Sequence, residues 1–253
     1  MAMRNILNSV LKKGVVRRFN AYKVDIVNKF KYGLNAPLKY QLLYCEPSQI
    51  NSYTRFNPTN LPEHLSYIPT YLVKDRTMIN ALKNQFIVGG DWDKMIVPIN
   101  CLRSYRQTIE KLRSGRSWQE VGEFERNVSK TIALTNINRK DKEVLAENRF
   151  KKLDELIKNV EETKYLKSQF ELKRNSFREM GGIEVFVGRE GELIQAHGGR
   201  HRLAIARHFS LSVIPVCVSL VHEDCVKSGK FSELKKRSLK LKGRHEYAQK
   251  KQS

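Results

Sequence analysis

The chain has 253 residues, 40% of them hydrophobic, and a formal net charge of +21. This length and hydrophobic content suffice for one sizeable buried core, which excludes a fully disordered protein. The charge is larger than solubility requires and favours a polyanionic partner, for which nucleic acid, anionic lipid and anionic glycan all stay open.

The cysteine pattern and the hydropathy of the chain predict a cytoplasmic protein. Four cysteines, at positions 45, 101, 217 and 225, show neither Cys-x-x-Cys spacing nor the density of a disulfide scaffold, so we expect reduced thiols. No apolar run approaches the roughly 20 residues that span a bilayer, and the first residues lack the long uncharged segment of a secretory signal. Peripheral attachment to the inner membrane surface is a further possibility.

Residues 1–40 form a basic, amphipathic N-terminal segment. It carries nine Lys and Arg residues against a single acid, Asp25. Apolar residues recur at helical spacing at Ile6, Leu7, Val10, Leu11 and Val15. This pattern predicts an amphipathic helix, and two interpretations are open. Such a helix either packs on the core of its own protein or lies on a membrane surface.

The first part of the segment 41–222 has the mixed pattern of an α+β domain. Apolar runs predict strands at 40–45, 70–73 and 95–99. The third strand is expected near a sheet edge, because Pro98 has no N–H to donate to a neighbouring strand. Helical periodicity predicts helices at about 102–113, 117–128 and 143–168.

From residue 183 onwards the pattern changes from helix to strand. Residues 183–187 and 192–196 alternate around a Gly-bounded turn and predict a hairpin. A helix-like run follows at 203–209, and the apolar run 213–220 predicts a buried strand. Together they predict one compact unit of hairpin, glycine turn, helix and closing strand.

The glycine turn within this unit is the most informative stretch of the chain. It reads Gly198-Gly199-Arg200-His201-Arg202 and opens onto the helix. Two glycines let the backbone approach a ligand closely, and the first amides of a helix are unpaired and partly positive. Two guanidinium groups make phosphate the favoured anion. The alternative is a helix start whose arginines form surface ion pairs.

The run 183–218 resembles the core of the ParB N-terminal and sulfiredoxin-like fold. The signature of that family is a strand, a Gly-x-His-Arg or Gly-x-Arg-Arg type turn, a helix with small residues, and Ile-Pro-Val. The turn at 198–202 is similar to the Gly-Gly-Cys-His-Arg of sulfiredoxins, and Ile214-Pro215-Val216 stands at the expected distance. The resemblance implies an α+β domain over 41–222 with its core motif at 183–220.

A nucleotide site at the turn is what this resemblance implies. Across the group, the residues matching Gly199, His201 and Arg202 lie around nucleotide phosphates. The group includes ATP-using sulfinic acid reductases, free serine kinases, CTP-binding DNA segregation proteins and nucleases, so the fold leaves the activity open.

Three departures from the family pattern reduce the number of family activities that fit this sequence. Arg200 stands where sulfiredoxins carry their cysteine, which excludes that chemistry. Gly198 stands where the kinase branch carries an acid, so His197 or an acid from elsewhere has to replace it. Only 33 residues follow Leu220, and they are basic and poorly hydrophobic. This argues against the helix-turn-helix domain of segregation proteins.

A second group of residues offers the acid that is missing at position 198. Asp91 and Asp93 flank a tryptophan in a loop that begins with Gly89-Gly90, just before the strand predicted at 95–99. Two such acids are able to share a Mg²⁺ ion or to divide the roles of base and orienting group. The sequence therefore proposes both as catalytic and magnesium-binding residues, with His197 as a further catalytic candidate. The alternative is an Asp-rich turn beside a packed tryptophan.

The leading functional hypothesis is nucleotide-dependent phosphoryl transfer to a hydroxyl acceptor, with ATP or another nucleoside triphosphate and Mg²⁺. Residues 198–202 would hold the phosphates. Residues 223–253 are basic with few apolar side chains and predict a flexible, solvated tail. The two basic ends would hold an anionic glycan, a membrane surface or nucleic acid. Two alternatives remain: a nucleic-acid-binding or nuclease-like protein, and a non-catalytic nucleotide-sensing scaffold.

Overall fold

The computed structural model describes residues 2–54, 86–134, 138–173, 176–196 and 198–250. Within these ranges seven strands and eight α-helices form a mixed α+β fold with an open sheet, which confirms the predicted fold class at that level. The strands are β1 Gln41–Cys45, β2 Ser52–Thr54, β3 Ile87–Val88, β4 Ile96–Pro98, β5 Ile183–Val187, β6 Leu193–Gln195 and β7 Ile214–His222. The helices are α1 Ala2–Tyr32, α2 Arg103–Ser114, α3 Glu123–Leu134, α4 Arg139–Thr163, α5 Gln169–Leu172, α6 Arg200–His208, α7 Glu223–Lys227 and α8 Lys230–Lys250.

The sheet is built around β7. Its strand order is β1-β7-β5-β6-β2-β4, and β3 pairs with the far end of β7. β7 runs antiparallel to β1 and parallel to β5. All nine residues of β7 are buried, as expected for a nearly continuous apolar run in the middle of a sheet. β4 pairs with β2 at the sheet edge, and Pro98 lies in it as predicted.

Helix α6 connects the hairpin to β7. β5 and β6 pair antiparallel, so the hairpin predicted at 183–196 is confirmed. After the glycine turn, α6 buries Leu203, Ala204, Ile205 and Ala206 completely. These four consecutive residues are apolar, and the two alanines are small enough to bring the helix close to its neighbours. The core thus holds α6, and with it the glycine turn, in a fixed position.

One predicted helix begins later than expected, and one predicted strand is not tested. The helix expected at 117–128 begins instead at Glu123, because Ser117–Glu120 closes a turn in which the Ser117 amide donates to Glu120 Oε2 at 2.6 Å. The strand expected at 70–73 lies outside the described residues.

The C-terminal segment forms helices where the sequence predicted a flexible tail. α7 and α8 follow β7, and α8 buries Phe231, Leu234 and Ser238. These residues recur every three or four positions and therefore share one helix face. The hydroxyl of Ser238 accepts a 2.7 Å hydrogen bond from the Tyr44 amide of β1. A few buried side chains and one edge-strand contact are thus enough to order a segment whose composition is mostly basic.

Candidate phosphate-binding turn

The glycine turn lies against the start of β5 and caps α6. Gly199 is the residue before the helix and has a left-handed backbone, with φ at +75°. A Cβ atom at this position would lie 2.4 Å from the Ile183 Cα and 2.8 Å from the Gly182 carbonyl oxygen. Glycine is therefore required here by both the backbone conformation and the close approach of the chain's own strand.

The first turn of α6 has no side-chain cap. Gly199, at the N-cap, has no side chain that could accept hydrogen bonds from the first amides. The amides of the first helical turn have no acceptor within the helix, and they lie at the positive end of its dipole. Helix starts of this kind favour negatively charged ligands in general.

Glu184 of β5 lies beside this turn. The Gly198 amide donates to Glu184 Oε2 at 3.2 Å, and the Glu184 amide donates to the Gly198 carbonyl at 3.1 Å. A Cβ atom on Gly198 would lie 2.8 Å from the Glu184 Cδ. The carboxylate thus occupies the space that a side chain at position 198 would take. The neighbouring strand thus places a carboxylate directly against Gly198.

Arg200 lies on the Glu184 side of the helix. It is partly buried, and burial lowers the pKa of its guanidinium, with Arg126 of α3 adding to that effect. Tyr53, Glu123 and Glu184 act in the opposite direction. This side of the turn therefore combines two guanidinium groups with two carboxylates, and Arg126 is paired with one of them, Glu123.

His201 points into the interface between α6 and α3. Its Nε2 lies 2.9 Å from Glu123 Oε1, and its ring packs edge-on against Trp118. Burial lowers the pKa of His201, partly offset by Glu123. Glu123 is fully buried and also receives two hydrogen bonds from Arg126. His201 therefore anchors the helix to α3 and does not face the opening of the turn.

Arg202 points away from both Glu184 and Glu123, towards Lys167 and Glu179. Its Nη2 donates to the Lys167 carbonyl, and its side chain lies near the carboxylates of Glu179 and Glu171. Burial lowers the pKa of this guanidinium. Because α-helical residues are about 100° apart, residues 200 and 202 project to different sides of α6. The structure does not bring the two arginines to one point.

Asp91 and Asp93 are bound by an arginine that the sequence analysis did not single out. Arg189, in the turn between β5 and β6, donates to Asp93 Oδ2 through its Nε at 2.8 Å. Its Nη2 donates to Asp93 Oδ1 at 2.8 Å and to Asp91 Oδ1 at 2.7 Å. Burial raises the pKa of Asp93, but the bonds from Arg189 outweigh burial and leave this pKa lowered. The two acids thus form an ion-pair cluster with Arg189.

This cluster lies at the other end of β5 from the glycine turn. Asp93 contacts residue 189, beyond the end of β5, whereas Gly199 contacts Ile183 at its start. The two end residues of β5 are four residue steps apart, which is about 13 Å. The structure therefore does not bring Asp91 and Asp93 to the turn. His197, the third catalytic candidate, lies outside the described residues.

The aspartate pair also fits Mg²⁺ poorly. A magnesium ion demands open carboxylate oxygens and several waters. Here Arg189 and Lys94 already neutralise the two carboxylates, and Asp93 is buried. Among the described residues, no group of three or more His, Cys, Asp or Glu side chains is placed to hold a metal ion.

Sequence reasoning missed the residues that surround the turn. Glu184 lies in the predicted hairpin, and a carboxylate on such a strand is expected to face solvent. Glu123 and Arg126 lie far from the turn in sequence. No local signal identifies them, because strand pairing and helix packing bring them to α6.

Comparisons with known proteins found no matching family model, no matching curated protein and no matching solved structure.

In the part of the chain that the structure describes, no helix is both long and apolar enough to cross a membrane.

Proposed function

We propose that the protein binds the phosphates of a nucleoside triphosphate at the N-terminus of α6 and transfers a phosphoryl group to a hydroxyl acceptor. The observation that carries this proposal is the position of Glu184. Its carboxylate accepts from the Gly198 amide beside an uncapped helix N-terminus, and it acts electrostatically on the Arg200 guanidinium. We infer that it takes the role of the acid that the kinase branch of the ParB and sulfiredoxin-like family carries at the position of Gly198. The resemblance at 183–218 supports the same reading.

Each group has a role set by its chemistry. The amides of the first turn of α6 and the Arg200 guanidinium bind phosphate oxygens and stabilise the charge that develops on them. Glu184 accepts the proton of the acceptor hydroxyl as the new O–P bond forms. The bond between the transferred phosphorus and its bridging oxygen breaks, and the nucleoside diphosphate leaves. No step runs through a metal at Asp91 and Asp93.

Calorimetric titration with ATP, ADP and CTP, with and without Mg²⁺, tests the binding step. Arg200→Ala is expected to weaken nucleotide binding about tenfold or more, since a charge-assisted phosphate contact is lost. Arg200→Lys keeps the charge and is expected to retain part of the affinity. Absence of binding by the unmodified protein to every nucleotide would overturn the proposal.

ATP hydrolysis, with water as the acceptor, tests the role of Glu184. Glu184→Gln is expected to leave nucleotide affinity within about twofold and to lower turnover about a hundredfold, as for loss of a general base. Glu190→Gln is the matched control, because this exposed glutamate lies in the hairpin turn away from α6. Binding without turnover in the unmodified protein would instead support a nucleotide-sensing scaffold.

A nucleic-acid-binding protein is the second candidate, and one groove favours it. A surface groove of about 740 Å³ runs between α2 and α6. Its lining includes Arg106, Arg113, Arg207 and His208. Filter binding of DNA across a salt series tests this alternative. Arg106→Gln with Arg113→Gln is expected to lower the salt dependence of binding by about two counterions if the groove holds phosphates.

A further inference from the structure

Helix α1 exposes an apolar stripe to solvent. Among the residues of α1 whose side chains the structure describes, seven large hydrophobic side chains are more than half exposed, and Phe30 reaches 89%. They are Val15, Val16, Phe19, Tyr22, Ile26, Val27 and Phe30. At about 100° per residue these positions cover one continuous arc of the helix. Leu34, just beyond the helix end, is 86% exposed and extends the stripe.

The opposite face of α1, not the apolar one, packs on the protein. Ala21, Asp25 and Asn28 are its buried residues, and two of them are polar. Arg178 pairs with Asp25 Oδ2 at 2.6 Å, and the Lys39 amide donates to Asp25 Oδ1 at 2.8 Å. These polar contacts fix the rotation of the helix about its axis. The apolar stripe is therefore held away from the core by specific bonds.

A second ion pair fixes the C-terminal end of the helix. Glu223 of α7 accepts from the Tyr32 hydroxyl at 2.8 Å and from Lys31 Nζ at 3.2 Å. These bonds and the Asp25 contacts lie one to two turns apart. Rolling α1 to bury its stripe would break both sets.

The charges around the stripe are cationic. Arg18 and Lys29 border one side of the arc, and Lys23 lies within it. The sole acid of residues 1–40, Asp25, is already paired with Arg178. A stripe of Phe, Ile and Val edged by Lys and Arg has the composition of a helix that lies in a membrane interface.

We propose that α1 binds an anionic lipid surface, lying in its plane with this stripe in the acyl boundary. Burial of Phe19, Ile26 and Phe30 supplies apolar transfer energy, and the flanking cations meet lipid headgroups. A second copy of the chain would bring like charges together along the stripe. Nucleic acid phosphates attract the cations but offer no apolar surface to the stripe. The inference does not depend on the proposed phosphoryl transfer.

Co-sedimentation of the full chain with vesicles tests this assignment. Binding to mixed phosphatidylcholine and phosphatidylserine vesicles is expected to exceed binding to pure phosphatidylcholine about tenfold or more, because several basic residues contribute near an anionic surface. The triple variant Phe19→Ser, Ile26→Ser, Phe30→Ser keeps every charge. It is expected to lose binding to the mixed vesicles about tenfold or more, since three apolar side chains no longer insert.

A matched variant controls for lost hydrophobicity elsewhere. Phe170→Ser, Leu172→Ser, Leu239→Ser removes three large apolar side chains that are also at least half exposed but lie on α5 and α8. It is expected to bind vesicles as the unmodified protein does. Thermal melting of both variants is expected to stay near that of the parent, because exposed side chains contribute little to stability.

Insertion itself is read out by a tryptophan placed in the stripe. Phe19→Trp is expected to show a blue-shifted emission on adding mixed vesicles, which purely electrostatic attachment would not produce. Equal vesicle binding by the stripe variant and the parent would overturn the proposal. Failure of the parent protein to bind mixed vesicles would also overturn it. A parent that does not bind vesicles but forms a dimer, which the stripe variant abolishes, would instead assign the stripe to a second copy of the chain.

Discussion

The imidazole Nε2 of His201 lies 2.9 Å from Oε1 of Glu123, and both side chains are buried between α6 and α3. Burial raises the pKa of Glu123, but its hydrogen bonds from Arg126 and His201 outweigh burial and hold this pKa at about 2. The pair fixes the direction of the helix that follows the glycine turn.

The first prediction concerns the pH dependence of stability. Because burial lowers the pKa of His201 in the folded protein, the unfolded chain takes up this proton first as the pH falls below 6.5. The pKa of Glu123 is lowered from 4.5 in the folded protein, so the folded protein loses further stability as the pH falls below 4.5. The free energy of unfolding is therefore expected to fall from about pH 7.5 to about pH 5.5. In urea unfolding, the free energy of unfolding of His201→Gln should fall less steeply with decreasing pH than that of the parent. Parallel curves for the two proteins would contradict the assignment of this pH dependence to His201.

The second prediction compares two glycines with similar backbones. Gly199 has φ at +75° and Gly115 has φ at +70°, but a Cβ at 115 meets nothing within 4 Å. Gly115→Ala is expected to cost about 1 kcal/mol from left-handed strain alone. Gly199→Ala also forces a Cβ against the Ile183 Cα and is expected to cost about 3 kcal/mol or more. Denaturant titration of both variants measures the difference, and similar losses would show that the strand is free to move away.

The third prediction concerns Arg189. Arg189→Ala leaves the buried Asp93 carboxylate without its main partner and is expected to lower the free energy of unfolding in urea titration. Asp93→Asn added to Arg189→Ala is expected to recover part of the loss, because it removes the uncompensated charge. Lys94→Ala removes only an exposed ion pair with Asp91 and is expected to leave the free energy of unfolding nearly unchanged. If Arg189→Ala raised catalytic turnover and left stability unchanged, Asp91 and Asp93 would have to be considered catalytic residues again.

The fourth prediction concerns thiol reactivity. Cys101 is exposed, whereas the other three cysteines are buried. Burial raises the pKa of the Cys45 and Cys217 thiols and raises that of Cys225 to about 12. Ellman's reagent is therefore expected to modify one thiol per chain rapidly in the folded protein and the remainder after unfolding. Cys101→Ser should remove the fast phase, and a second fast thiol would indicate local opening.

Local patterns predicted a large part of the fold. The strand at 183–187 matches β5, the apolar run 213–220 overlaps β7 from residue 214 onwards, and the helix at 102–113 matches α2 within a residue. Such elements carry their periodicity in their own residues. α8 was missed because its burial rests on a few side chains and a bond to β1, which composition does not reveal.

The site was predicted less completely, for a geometric reason. The sequence identified the turn and its helix, since glycines followed by a helical pattern are local signals. It placed Asp91 and Asp93 near the turn, whereas the fold pairs them with Arg189 beyond the other end of β5. It left Glu184 as a surface residue, although antiparallel pairing of β5 with β6 brings it to Gly198.

The sequence by itself determined that a glycine turn opens onto a helix, and hence which amides lack an acceptor within the helix. Only the tertiary structure decided that Arg200 lies beside Glu184, that His201 binds Glu123 and that Arg202 turns towards Glu179. Successive residues of a helix point about 100° apart, so what each one meets depends on elements packed around the helix from distant parts of the chain.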